Sequence, residues 1–194
     1  MPASVPDHPA VNEAMQYCSA CGKPVTSAIP DGDNRLRAIC TACGTVHYQN
    51  PKIVAGCVPE HEGRILLCRR AIEPRRGYWT VPAGFMELGE TLAEAALRET
   101  WEEALARVEI GPLFAAVDVV HAGQVHVFFS GTLPRPEFGA GAETLETRLF
   151  LAADIPWSEL AFPSIRIALE RYLEIRRTGN QQVHLASAPR TIRG

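Results

Sequence analysis

The sequence contains no apolar run of the about eighteen residues that a membrane-spanning helix requires, so no membrane is expected as a partner. Its opening stretch, MPASVPDHPAVNEAMQ, lacks both the basic region and the apolar region of a secretory leader, and a cytoplasmic location is expected. Lysine is almost missing, with two Lys against seventeen Arg. Nineteen basic and twenty-two acidic side chains leave a net charge of −3, which gives no general pull toward nucleic acid. Six cysteines in 194 residues are too sparse for a secreted disulfide scaffold. What is present is an ordinary globular composition, 46% hydrophobic and 21% charged, in a length that suits one catalytic-size core and a small appendage.

The pattern along the chain divides at Asn50-Pro51, where proline restricts its predecessor and the composition changes. Residues 1–15 and 179–194 read as tails, 16–50 as a small unit built around the turn Asp31-Gly32-Asp33-Asn34, and 51–178 as the main domain. In that domain KIVAGCVPE and RILLCRR read as a hairpin, Trp79 to Val81 as a short strand, and LFAAVDVV, VHVFFSGTL and TRLFLA as further strands. Helices are expected from Leu92 to Leu105 and from Pro163 to Arg177, the first opened by a capping box at Thr91-Leu92-Ala93-Glu94. The fold class is a mixed α/β sandwich.

At 100° per residue, Glu99, Glu102 and Glu103 share one face of the first helix, while Ala93, Leu97, Trp101 and Ala104 form a stripe expected to pack on a sheet. From Glu87 to Ala106 there are six Glu and one Arg, a crowding that invites a cation. Hard oxygen ligands suit Mg²⁺ or Mn²⁺; the plainer alternative is a solvated acidic face. The preceding loop, Gly84-Phe85-Met86-Glu87-Leu88-Gly89-Glu90, favours the metal, because glycines before a helix N-terminus let the backbone approach a ligand.

Two cysteine pairs, Cys18-x2-Cys21 and Cys40-x2-Cys43, are each followed by glycine, at Gly22 and Gly44. Four thiolates at this spacing favour a closed, structural tetrahedral Zn²⁺ site over a redox pair. His47 is read as a surface histidine, and Cys57 and Cys68 as core thiols. From Tyr17 to Asn50 only Lys23, Arg35 and Arg37 are basic, against Asp31 and Asp33, so nucleic acid is not expected as a partner.

Gly84, Glu90 and Arg98-Glu99-Thr100-Trp101-Glu102-Glu103 resemble the Nudix box, G-x5-E-x7-R-E-U-x-E-E-x-G-U, where U is a bulky aliphatic residue. Two positions depart from it: Thr100 replaces an aliphatic residue and Leu105 replaces the final glycine, and the helix is expected to continue through Leu105. The resemblance implies a Nudix α/β/α sandwich with a mixed sheet, preceded by a zinc ribbon. It also implies hydrolysis of a nucleoside diphosphate linked to a second moiety X.

Through it, Glu99 and Glu103 become the main Mg²⁺ or Mn²⁺ ligands, with Glu102 and the Ala83 carbonyl as further ligands. Arg98 orients the cluster and Glu90 holds the loop to the helix. Glu143, ahead of Glu146, is the candidate for a further ligand or the base. The ribbon, with YQNPKIVAGCV, LLCRRAIEPRRGYWTVPAGF and LETRLF, is similar to a Nudix group that includes plant FAD pyrophosphatases, and the SQPWPFPxS signature of NADH pyrophosphatases is missing. The implied substrates are ADP-linked small molecules such as FAD and ADP-ribose, and a homodimer is compatible with the resemblance. Arg69 and Arg70, near Arg75 and Arg76, are candidate phosphate contacts, with Gly84 and Phe85 beside them; ordinary solvated charge is the alternative for each arginine. A second class of function, a ligand-sensing Nudix regulator that binds nucleic acid or a partner through its ribbon, is disfavoured by the complete glutamate set.

Overall fold

The computed structural model describes residues 15–190, so the expected tail at 1–15 falls almost wholly outside the described residues. The chain divides into two compact units, 1–51 and 52–194. No helix among the described residues is long and apolar enough to cross a membrane.

The first unit is a three-stranded antiparallel sheet of β1 (Val25–Ala28), β2 (Arg37–Cys40) and β3 (Val46–His47), with β2 central. Asp33 organises the β1–β2 turn by accepting from the Asn34 and Arg35 amides and from Arg37 Nε. Each Cys-x2-Cys pair bends back on its glycine: the Gly22 amide donates to the Cys18 carbonyl and the Gly44 amide to Cys40, both at 2.9 Å. Both glycines are left-handed, φ 71° and 75°, a conformation that costs other residues about 1 kcal/mol or more.

The second unit is built on one mixed sheet. Its strands are β4 (Lys52–His61), β5 (Arg64–Arg70), β6 (Trp79–Thr80), β7 (Ala83–Phe85), β8 (Glu109–Val119), β9 (Gln124–Thr132), β10 (Thr144–Phe150) and β11 (His184–Ser187). The order is β10-β5-β4-β9-β8-β11, with β6 on β5 and β7 on β4. The β4–β9 and β8–β11 pairs are parallel and the others antiparallel. Helix α1 (Leu92–Ala104) packs on β4 and β7, and α2 (Pro163–Thr178) on β8. Alternation along the buried strands feeds two layers. Val58, Ile65, Leu67, Val117 and Phe128 pack toward α2, and Ala55, Cys57 and Val127 toward α1. This is the α/β/α sandwich expected.

Three expectations are corrected. Trp101 is 44% exposed, and α1 meets the sheet through Ala95, Ala96, Thr100, Glu103 and Ala104 instead of an Ala93–Leu97–Trp101 stripe. The sheet is met by small residues, because Ala and Thr bring the helix close where Trp would hold it away. The helix does not continue through Leu105: that residue is left-handed, φ 48° and ψ 29°, and its amide donates to the Trp101 carbonyl. Part of the expected tail from 179 is β11, held where buried Arg171 donates to the Asn180 and Gln182 carbonyls at 3.1 and 2.7 Å.

Candidate metal and active site

The capping box forms as read: the Glu94 amide donates to Thr91 Oγ1 at 3.2 Å and the Thr91 amide to Glu94 Oε2 at 2.7 Å. It fixes the start of α1 immediately after the glycine loop. Thr100, at the aliphatic position of the box, is fully buried, and its hydroxyl donates to the Ala96 carbonyl at 2.7 Å. The hydroxyl is therefore satisfied within the helix, and threonine substitutes for an aliphatic residue of similar volume.

Arg98 is the hub of the loop–helix junction. Its Nε and Nη2 fork onto Glu90 at 3.0 and 2.8 Å, Nη2 also donates to the Phe85 carbonyl at 2.9 Å, and Nη1 donates to Glu99 at 2.6 Å and Glu102 at 3.0 Å. The guanidinium, helped by the Glu87 amide, pulls the Glu90 carboxyl down to about 2. Glu90 is thus a permanently charged brace.

The α1 carboxylates divide between two environments. Glu99 lies directly over Gly84, where a Cβ would fall on its carboxylate. Burial raises its pKa while Arg98 opposes the rise. Glu103 is 8% exposed, and Oε2 accepts from the Ala83 amide at 3.1 Å. Burial pushes its carboxyl up to about 8, opposed by that amide, raised further by Glu99, and opposed in turn by Arg70. Glu102 is more exposed and turned to Arg98. Desolvated carboxylates, one of them lying over Gly84, with hard oxygen donors only, fit a divalent cation.

Glu143 sits close enough for its charge to act on both Glu99 and Glu103. The loop before it caps α1. The Gly139 amide donates to the Ala104 carbonyl at 2.8 Å and the Gly141 amide to the Glu103 carbonyl at 3.0 Å, so the last turn of the helix and the approach to Glu143 are one hydrogen-bonded piece. The glycines of Phe138-Gly139-Ala140-Gly141 were its only sequence signal. Glu146 is instead paired with Arg148 and near Arg69. Arg69 is committed on the other side too, Nε donating to the Gly77 carbonyl at 2.9 Å. Phe85 is 49% exposed, with Lys52 over its ring at 5.2 Å.

In the first unit the Sγ atoms of Cys18, Cys21, Cys40 and Cys43 all lie within 4.8 Å of one another, a donor set that fits tetrahedral zinc. The Thr45 hydroxyl, 3.1 Å from Cys43 Sγ, helps hold that thiol down to about 6. His47 is corrected from a surface residue: Nε2 lies 3.3 Å from Cys18 Sγ, placing the ring against the thiolate cluster. Cys57 and Cys68 are buried in the second unit.

The family model described as Nudix N-terminal matches residues 16–49, and the NUDIX domain model matches 50–171. A crystal structure of a Nudix hydrolase from Nitrosomonas europaea is 49% identical, covers 91% of this chain and all of its own, and superposes with a TM-score of 0.87. An ADP-ribose pyrophosphatase of Methanocaldococcus jannaschii is 30% identical over 62% of this chain and 72% of its own length. A NAD-capped RNA hydrolase NudC of Chromobacterium violaceum is 37% identical over 48% of this chain, a match spanning about a third (34%) of that relative. With the box residues assembled around α1 and the four-cysteine ribbon ahead of them, the chain belongs to the Nudix hydrolase family, in its zinc-ribbon-bearing form.

Proposed function

We propose that the protein is a metal-dependent pyrophosphatase. Water and an ADP-linked substrate such as FAD, ADP-ribose or a related dinucleotide would give a nucleoside monophosphate and X-phosphate. The observation that carries this reading is Glu103: a buried carboxylate beside Glu99, with the Ala83 amide as its hydrogen-bond donor among the described residues. Two desolvated carboxylates this close destabilise the fold unless a cation compensates them. Names of relatives support the substrate class, since the partial matches include enzymes for ADP-ribose and NAD-capped ends.

Glu99 and Glu103 would hold Mg²⁺ or Mn²⁺, with Glu102 and the Ala83 carbonyl completing the shell. A cation there would neutralise diphosphate oxygens and lower the pKa of bound water. Arg98 keeps Glu99 and Glu102 aimed, Glu143 would take the proton of the attacking water, and Gly84 leaves room for the Glu99 carboxylate, with exposed Phe85 beside it as the candidate substrate contact. Arg69 is engaged by Gly77 and Glu146, so the phosphate role falls to Arg70. Residues 16–50 would serve as a zinc-stapled structural domain and 51–178 as the catalytic one.

The test is chromatographic detection of AMP from ADP-ribose, FAD, NADH and diadenosine polyphosphates with Mg²⁺ or Mn²⁺. Glu99→Gln and Glu103→Gln should each lose at least about 100-fold in turnover, some 2.7 kcal/mol of transition-state stabilisation. Binding of these compounds without AMP release by the wild type would reject the enzyme reading in favour of a ligand-sensing regulator.

A further inference from the structure

The face of the sheet away from α1 carries a cavity of about 210 Å³ that the proposed reaction does not use. Its floor is apolar. Phe114 of β8 and Tyr172 and Ile175 of α2 belong to the core layer beneath that helix, and the Phe114 and Tyr172 rings meet in a tilted contact at 5.6 Å. Its rim is polar, with Ser130 from β9, Arg176 from α2 and Gln181 from the stretch that follows.

Three local features make this opening. β8 carries Pro112, which has no amide proton to give the ladder, and its register against β9 slips twice, between Ile110 and Leu113 and between Leu113 and Ala115. Bulges of this kind bend a strand and re-aim its side chains. A Cβ at Gly111 would come within 2.3 Å of Ser130 Oγ, so glycine there keeps room for the hydroxyl. The last wall is strapped on: buried Arg171 holds the Asn180 and Gln182 carbonyls, and Gln181 between them lines the cavity.

The polar end defines the charge a ligand needs. Tyr172 Oη donates to Glu60 Oε2 at 2.8 Å; Arg176 Nη1 lies 3.3 Å from the same oxygen and donates to the Gly63 carbonyl at 3.1 Å. Arg176 Nε and Nη2 have no hydrogen-bond partner among the described residues. One edge of the guanidinium is therefore free, while Glu60 already answers part of its charge. A dianionic phosphate would be repelled by Glu60 with little positive charge to offset it, whereas a carboxylate brings one charge and two oxygens spaced for the Nε–Nη2 edge. The apolar floor suits a flat body, and the volume, below the roughly 300 Å³ at which drug-sized pockets begin, limits it to about one ring.

We propose that this cavity is a second ligand site, taking a small monocarboxylate that carries one ring. The carboxylate would sit on the free edge of Arg176 and the ring on Phe114 and Tyr172. The proposal is independent of the pyrophosphatase reading, since none of these residues belongs to the α1 site.

Benzoate is the probe, followed by amide NMR shifts of the full chain. Saturable shifts are expected at Ser130, Ile175 and Gln181, with a dissociation constant of about 1 mM for a ligand of this size. Benzamide, the same shape without the charge, should bind at least tenfold more weakly, and phenyl phosphate no more tightly than benzoate. Arg176→Gln should weaken benzoate by about tenfold, while Glu60→Gln, which releases the guanidinium, should tighten it by about threefold. Damage to the fold would weaken binding in both variants, so the opposite signs identify the arginine edge. Should either variant fail a thermal melt, the benzoate–benzamide comparison on the wild type decides. The proposal is overturned by the lack of saturable shifts at Ser130 and Gln181, by benzamide binding as well as benzoate, or by a folded Arg176→Gln that keeps benzoate affinity within twofold of the wild type.

Discussion

Gly84→Ala is the most direct probe of the loop–helix junction. The added methyl would land on the Glu99 carboxylate, which Arg98 already holds at 2.6 Å, and φ at Gly84 is not positive, so the backbone itself tolerates alanine. To restore ordinary contact the carboxylate has to retreat by about 1 Å, and a displacement of that size at a reacting centre costs on the order of 100-fold. That is about 2.7 kcal/mol in kcat/KM, against a change of about 1 kcal/mol or less in folding stability, since only a flexible side-chain end moves. Initial rates of AMP release with Mg²⁺, beside a urea midpoint, separate the two quantities. Glu99→Asp in the Gly84→Ala background withdraws the carboxylate by one methylene and should lose less than the product of the two single losses. Wild-type kcat/KM in Gly84→Ala would refute the placement of Glu99 as a working ligand.

Three further outcomes follow from the geometry. Without added Mg²⁺, the Glu103 carboxyl, raised to about 8, contributes stability that is full below the unfolded carboxyl value of about 4.5 and is lost as pH rises through about 8. Urea midpoints at pH 6 and 9 should therefore fall more in the wild type than in Glu103→Gln, and Mg²⁺ should reverse the wild-type loss. Leu105→Gly relieves a left-handed conformation worth about 1 kcal/mol or more and gives up part of a leucine's packing, leaving a net gain of about 0.5 kcal/mol in a denaturation curve. Cys40→Ser should abolish stoichiometric zinc in metal analysis and unfold the ribbon, while His47→Ala should weaken zinc by about tenfold in a chelator competition.

The glutamate face, the capping box and the cysteine pairs were legible because each depends on neighbours within one turn of helix or one bend of chain. Glu103 shows where that reading stops. Helical spacing placed it beside Glu99 and Glu102, yet its burial comes from β7 and the strands beneath α1, which no local pattern announces. Trp101 misled for a related reason: its size marked it for the core, whereas the close approach of helix to sheet selected Ala96 and Thr100. The end of α1 was decided from outside the helix, by amides of Gly139 and Gly141 some thirty-five residues later, on the order of a long-range contact that spacing does not encode. β11 is short and carries no strong alternation, and it becomes a strand only because β8 offers an unpaired edge.

That last pairing has a bearing on how the molecule behaves in a crowd. An open sheet edge is a template on which any extended chain can dock, and β8 is eleven residues long. Arg171, planted in α2, clips residues 180–182 so that the chain folds its own segment onto that edge, and the Ala188 amide closes it on the Asp118 carbonyl at 2.8 Å. The stretch after α2 is in this sense a guard: a molecule cut after Gly179 would keep the carboxylates of α1, and would offer neighbouring molecules a free strand to pair with.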